Sequence, residues 1–343
     1  MSRPTALSAA LLALLLAACG GGADDGDTAA AGGGVEGATA RSAERAGTVE
    51  GFRTPESVKY DSAQDVYFVS NIAGNPSQKD GNGYIARVAA GDDARAATMA
   101  VEGGKNGVTL HAPKGMAIVG DTLWVADIDV VRGFHRTTGA PVATIPFPRP
   151  VYFLNDVAVG PDGALYVTDT GIQFDASGGM TAPSTGRIFR VEGRRATAVV
   201  SDTALAAPNG IAWDAGRQAF VVGSFAGPAL LSWAPGDSTV RPIATGAGQY
   251  DGIEVVGGRV FVSSWADSSL HVLEPGSSAL TRVVSGIAAP ADIGVDSRRS
   301  LILVPIFTGN RVELWTIPDA GAAAAAAPAD SAADSAAADT AGR

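Results

Sequence analysis

Oxygen-bearing side chains recur at one position of a repeating pattern. Glu56, Lys114, Asn155, Asn209 and Asp251 each stand just ahead of an apolar run, and Ala291 holds the sixth place. The two carboxylates and two carboxamides are hard donors, suited to Ca²⁺, Mg²⁺ or Mn²⁺ rather than to soft metals. Two carboxylates would balance a divalent charge, and without a cation Glu56 and Asp251 would repel each other and raise a pKa. The competing reading is a set of turns, because Asn and Asp at strand starts bond their own backbone. The shared register across blades favours a common centre over separate turns.

Elements able to bring these residues together follow from the same pattern. Six segments superpose, beginning at Pro55, Pro113, Leu154, Pro208, Tyr250 and Pro290. Each passes through a polar turn, such as Pro161-Asp162-Gly163 or Gly257-Gly258, into a second apolar run, as a hairpin requires. A third run usually follows, for example Leu270–Leu273. The candidate positions are spaced by 58, 41, 54, 42 and 40 residues. A period near 40 with three or four strands per unit marks the blades of a β-propeller. The expected fold is therefore all-β, a six-bladed β-propeller, with the recurring residues at the mouth of its channel. The two long intervals call for inserted loops near that mouth, at residues 72–84 and 171–185. The last repeat lacks a fourth strand, which the segment near Gly47–Phe52 would supply, so that no sheet edge stays open.

Composition narrows the function. Net charge is −10, from 35 acidic and 25 basic residues, so no nucleic-acid partner is expected. The single cysteine, Cys19, excludes an internal disulfide and a thiolate zinc site. His111, His135 and His271 share no spacing and read as structural or surface residues. Trp124, Trp213, Trp233, Trp265 and Trp315 read as packing between blades. Asp127, Asp169 and Asp267, at or just after second strands, either cap turns or approach the channel. No Gly-x-Ser-x-Gly elbow and no phosphate-binding loop ahead of a helix occurs.

The ends of the chain read differently from its body. Arg3 and the apolar segment 6–18 lead to Leu16-Ala17-Ala18-Cys19, which resembles the lipobox of bacterial lipoprotein signals. The expected organisation is a signal peptide at 1–18, a lipidated Cys19 with a flexible tether to 45, the propeller at 46–318, and a disordered Ala/Asp/Ser-rich tail at 319–343. Gly20 after the cysteine suggests the outer membrane or periplasmic face of a cell envelope. The lipid anchor would be the only membrane contact, and a monomer is expected.

Pro55-Glu56, Asn155-Asp156 with Pro161-Asp162-Gly163, Pro208-Asn209-Gly210-Ile211 and Asp251-Gly252-Ile253, in that order and spacing, resemble the family of regucalcin, gluconolactonase and luciferin-regenerating enzyme. The resemblance covers most of 50–316. It implies one divalent cation in the channel (Ca²⁺, Mg²⁺, Mn²⁺ or Zn²⁺, with Ca²⁺ favoured) held by Glu56, Asn209 and Asp251. Asn155 would be a nearby ligand or substrate contact. It further implies a lactone hydrolase acting on a small-molecule substrate, with Asp251 as general base. Lys114 would bind a substrate oxygen or stabilise the oxyanion, or else stand as a solvated rim lysine. One departure is Phe153, where members acting on sugar lactones tend to carry arginine. The rival readings are a non-catalytic propeller that binds a ligand or protein around a structural metal, and a relative of strictosidine synthase or paraoxonase.

Overall fold

The computed structural model describes residues 42–91 and 96–318. Cys19, the signal segment 1–18, most of the tether and the tail 319–343 lie outside the described residues.

Six four-stranded antiparallel sheets form the body. Blade 1 runs from the innermost strand Pro55–Asp61 through Val66–Asn71 and Tyr84–Ala89 to Thr98–Glu102. Blades 2, 4 and 5 repeat this plan from Pro113–Val119, Pro208–Asp214 and Tyr250–Val256. Blade 3, from Leu154–Val159, carries a small hairpin of Gln173–Phe174 and Met180–Thr181 between its second and third strands. Blade 6 is assembled from both ends of the chain: Arg45–Glu50 pairs antiparallel with Arg311–Thr316, beside Leu301–Ile306 and Gly294–Asp296. The expected closing strand is thus present, and it begins at Arg45. Ala43 already packs against blade 5, its N–H donating to the Val283 carbonyl at 3.0 Å.

Apolar packing between neighbouring blades holds these sheets together. Val58, Tyr67 and Val69 of blade 1 pack with Leu303, Val312, Leu314 and Val49 of blade 6, and similar apolar clusters fill each blade-to-blade seam. The second strands of blades 1, 4 and 6 are buried on both faces, so they read as continuous apolar runs rather than alternating ones. Among the described residues no helix is long and apolar enough to cross a membrane.

Candidate metal and substrate site at the channel mouth

A bulge aims the candidate side chains. In blade 2, Pro113 opposes Asp127 and Met116 opposes Val125, so Lys114 and Gly115 share one partner residue, Ala126. The same slip sets Asn155-Asp156 against Thr168, Asn209-Gly210 against Gly223, and Asp251-Gly252 against Ser263. In blade 1 Glu56 is the extra residue between Pro55 and Ser57. A bulge bends its strand and redirects one side chain, and here it does so at five of the predicted positions.

Polar residues ending the second strands fix the approach to each bulge. Asn71 Oδ1 accepts from the Arg53 N–H at 3.0 Å. Asp127 Oδ1 accepts from the His111 and Ala112 N–H groups at 3.1 and 2.8 Å, and Asp169 Oδ1 from those of Tyr152 and Phe153 at 3.2 and 2.9 Å. Ser224 and Ser264 donate instead, to the Leu205 and Gly248 carbonyls at 2.9 and 2.7 Å. Asp127 and Asp169 are therefore caps, further held by Arg132 and Arg187. Asp267 caps the turn into the third strand of blade 5, bonded to Ser269, His271 and Arg282.

Glycine lets the inner strands close on one another. A Cβ on Gly115 would lie 2.3 Å from Asp156 Oδ1, one on Gly210 2.1 Å from the Asp251 carbonyl oxygen, and one on Gly252 2.2 Å from the Ile293 nitrogen. The Lys-Gly, Asn-Gly and Asp-Gly pairs resemble turns in sequence, but they lie in the channel wall.

Glu56, Lys114, Asn155, Asn209 and Asp251 are all buried. Glu56 Oε2, Asn209 Oδ1 and Asp251 Oδ1 have no hydrogen-bond partner. Burial, then the nearby Asp251 charge, pushes the Glu56 carboxyl well above the usual range. Burial, then Asp156, pushes Asp251 up to about 8. Asn209 and the Trp265 indole offset part of that rise, although Trp265 Nε1 closes no hydrogen bond of ordinary geometry. Trp265 therefore lies beside the site and does not serve only as packing between blades. Buried acceptor oxygens without donors, on two mutually repelling carboxylates and a carboxamide, fit a hard divalent cation. Among the described residues no group of three or more His, Cys, Asp or Glu is placed to hold a metal. This set contains only two such residues, because its third member is an asparagine.

Lys114 is fully buried and not a solvated rim residue. Its Nζ donates to the Pro76 and Ala112 carbonyls at 3.2 and 3.0 Å and lies 4.2 Å from the Phe153 ring centroid. Burial draws its pKa down to about 8 against the upward pull of Glu56 and Asp127. Pro76 belongs to the blade 1 insertion. That loop meets the blade 3 insertion: Asn75 Nδ2 donates to the Asp175 carbonyl at 2.8 Å, and the Phe174 N–H donates to Ser77 Oγ at 3.0 Å. Asn155 Nδ2 donates to Thr170 Oγ1 at 3.1 Å.

Sequence reasoning missed the tier beneath. Ser57 Oγ donates to Asp292 Oδ2 at 2.5 Å, and Asp156 accepts from the Val157 and Ile211 N–H groups at 2.7 and 2.8 Å. Deeper still, Lys59 pairs with Glu254 at 2.7 Å across the channel. Burial lowers the Lys59 pKa, but Glu254, Asp292 and Asp156 together hold it above the ordinary lysine value. The available signal was periodic. The residue after each recurring position is either Gly (115, 210, 252) or polar (57, 156, 292), and polar residues interrupt the apolar runs three positions beyond Glu56 and Asp251. A separate cavity of about 480 Å³, lined by Asp214, Arg217, Ile243 and Pro275 among others, opens at the opposite face and shares none of these residues.

The fold defines a six-bladed β-propeller, with buried, unpaired oxygens on the innermost strands of blades 1, 4 and 5. Residues 54–294 match the model of the SMP-30/gluconolactonase/LRE-like region, and the chain belongs to that family. Among solved structures, a gluconolactonase from Xanthomonas campestris is similar at 16% identity and TM-score 0.59, covering 82% of this chain and 96% of that one. A luciferin-regenerating enzyme is similar at 11% identity and TM-score 0.59, covering 78% and 93%. A virginiamycin B lyase from Staphylococcus aureus is similar at 14% identity and TM-score 0.53, covering 79% and 99%. These likenesses are of fold. No curated protein matches the chain significantly by sequence.

Proposed function

We propose that the chain is a divalent-cation-dependent hydrolase of a lactone or related ester. The observation that carries this reading is the set of three buried oxygens without partners on Glu56, Asn209 and Asp251. These residues would hold the cation, with Ca²⁺ favoured, and Asn155 would contact the substrate. A divalent cation bound there supplies Lewis-acid polarisation of a carbonyl. Asp251, buried with its Oδ1 unpaired, would be held ionised by the cation and so stand ready to accept the proton of an attacking water. The water oxygen bonds to the acyl carbon, the C–O bond to the alcohol oxygen breaks, and the proton passes to that leaving oxygen to give a hydroxy acid. Lys114, buried beneath the mouth, would favour through its charge the negative charge that develops on the carbonyl oxygen.

A panel of lactones and esters tests the reading. Turnover abolished by chelation, restored by Ca²⁺, and reduced about 10²–10⁴-fold in Asp251→Asn supports it. A cation-loaded protein inert to the whole panel overturns it and returns the non-catalytic binding module.

The exported, lipid-anchored form is also proposed, from Leu16-Ala17-Ala18-Cys19. Palmitate labelling of the full chain, lost in Cys19→Ala, is the expected result. Equal labelling of both chains would sink it.

A further inference from the structure

A second ring surrounds the oxygen ring. One residue beyond the end of each second strand stand Ile72, Ile128, Thr170, Phe225, Trp265 and Phe307. Backbone hydrogen bonds tie each to the segment entering an innermost strand. The N–H groups of Ile72, Thr170, Phe225, Trp265 and Phe307 donate at 3.1, 2.9, 2.9, 3.1 and 3.0 Å to the carbonyls of Thr54, Phe153, Ala207, Gln249 and Ala289, and the Ile128 carbonyl accepts from Leu154 at 2.8 Å. The repeat thus places all six at the mouth, and five are apolar.

The apolar members form an unbroken arc. Phe225 and Trp265 lie 5.9 Å apart by ring centroids, and Trp265 and Phe307 lie 5.4 Å apart. Phe307 packs with Ile72 and Ile128. On the other side Phe225 joins Phe153 and Phe174, whose rings lie 5.9 Å apart. Phe174, Phe225, Trp265 and Phe307 remain partly exposed. Two features seat this collar on the oxygen ring: Lys114 lies against Phe153, and Trp265 directly follows Ser264, which pairs with Tyr250 next to Asp251.

The collar offers little to a polyol. The Thr170 hydroxyl is engaged, donating to the Pro208 carbonyl at 2.8 Å and accepting from Asn155. Within the ring, Trp265 Nε1 is a buried donor without a partner, enough for one oxygen. Each sugar hydroxyl brought against the partly exposed Phe174, Phe225 and Phe307 would lose water without replacement, whereas an apolar or aryl group would gain from the same surfaces.

We propose that the collar selects esters and lactones with an apolar or aromatic substituent over polyhydroxylated sugar lactones. The chemistry rests on the hydrolase reading, but the binding preference does not. Calorimetry on the full chain with Ca²⁺ would compare two non-hydrolysable lactams of one ring size, one aryl-substituted and one polyhydroxylated. The aryl lactam is expected to bind at least about tenfold more tightly. Phe225→Asn and Phe307→Asn should erode that preference at least about fivefold, while Phe225→Leu keeps it. Equal or tighter binding of the polyhydroxylated lactam, binding of neither, or a preference untouched by Phe225→Asn overturns the inference. Aryl binding without turnover of any lactone keeps the collar and sinks the hydrolase reading. Preferred turnover of a sugar lactone does the reverse.

Discussion

At the scale of single residues, the buried carboxylates make stability depend on pH. Glu56 and Asp251 titrate higher in the folded chain than in the unfolded one, where they titrate near 4. Between about pH 4 and 8 the folded state therefore binds more protons, and its stability falls as pH rises. In chelator, the thermal midpoint should fall as pH is raised from 5 to 8.5. Added Ca²⁺ should raise it more at pH 8 than at pH 5, because protons compete with the cation for the same oxygens. A cation-induced shift that is equal at both pH values would argue against a carboxylate site. Asn209→Ala should keep the pH trend yet lose most of the Ca²⁺-induced shift. Lys114→Met should free the blade 1 insertion at Pro76, and the expected sign is a higher KM.

At the scale of elements, bulge, cap and glycine work together to aim one side chain per blade. Gly115→Ala forces a Cβ against Asp156, and should cost about 2 kcal/mol in denaturant unfolding. Asp127→Ala removes the acceptor for two N–H groups and strands Arg132, and should cost about 3 kcal/mol. Both changes lie outside the proposed ligand set, so each should leave cation affinity within about threefold of the parent while stability falls. An Asp127→Ala chain as stable as the parent would remove the cap from the account. Asp127 and Asp169 were visible in the sequence as strand-end carboxylates. Whether they served the channel or the turn depended on which N–H groups came within reach, and loop closure alone determines that.

At the scale of the whole molecule, the ring is held shut by Arg45–Glu50. Val49 is buried in the seam with Val312 and Leu314. Val49→Asp places an unpaired charge there and should lower the thermal midpoint by about 10 °C or more. A chain beginning at Phe52 should expose the edge of Arg311–Thr316 and self-associate. Light scattering would show this, and a monodisperse truncated chain would count against the closing strand. Closure also explains why residues two hundred positions apart, such as Lys59 and Glu254, form an ion pair inside the channel.

By itself, the sequence determined the propeller, its six repeats, the closing segment and the position of each repeat that faces the mouth. Those follow from a period of about 40 and from alternation along short strands, both local properties. Shared register also singled out Glu56, Lys114, Asn155, Asn209 and Asp251, and the family resemblance implied Glu56, Asn209 and Asp251 among them as the cation ligands. Only the tertiary structure decided what surrounds them: the Asp156–Asp292 tier, the buried state of Lys114, the move of Trp265 from packing to the site, and the apolar collar. Each of these depends on the distance between different blades. That distance is set by ring closure and by glycines that let strands approach, and no pattern along the chain encodes it.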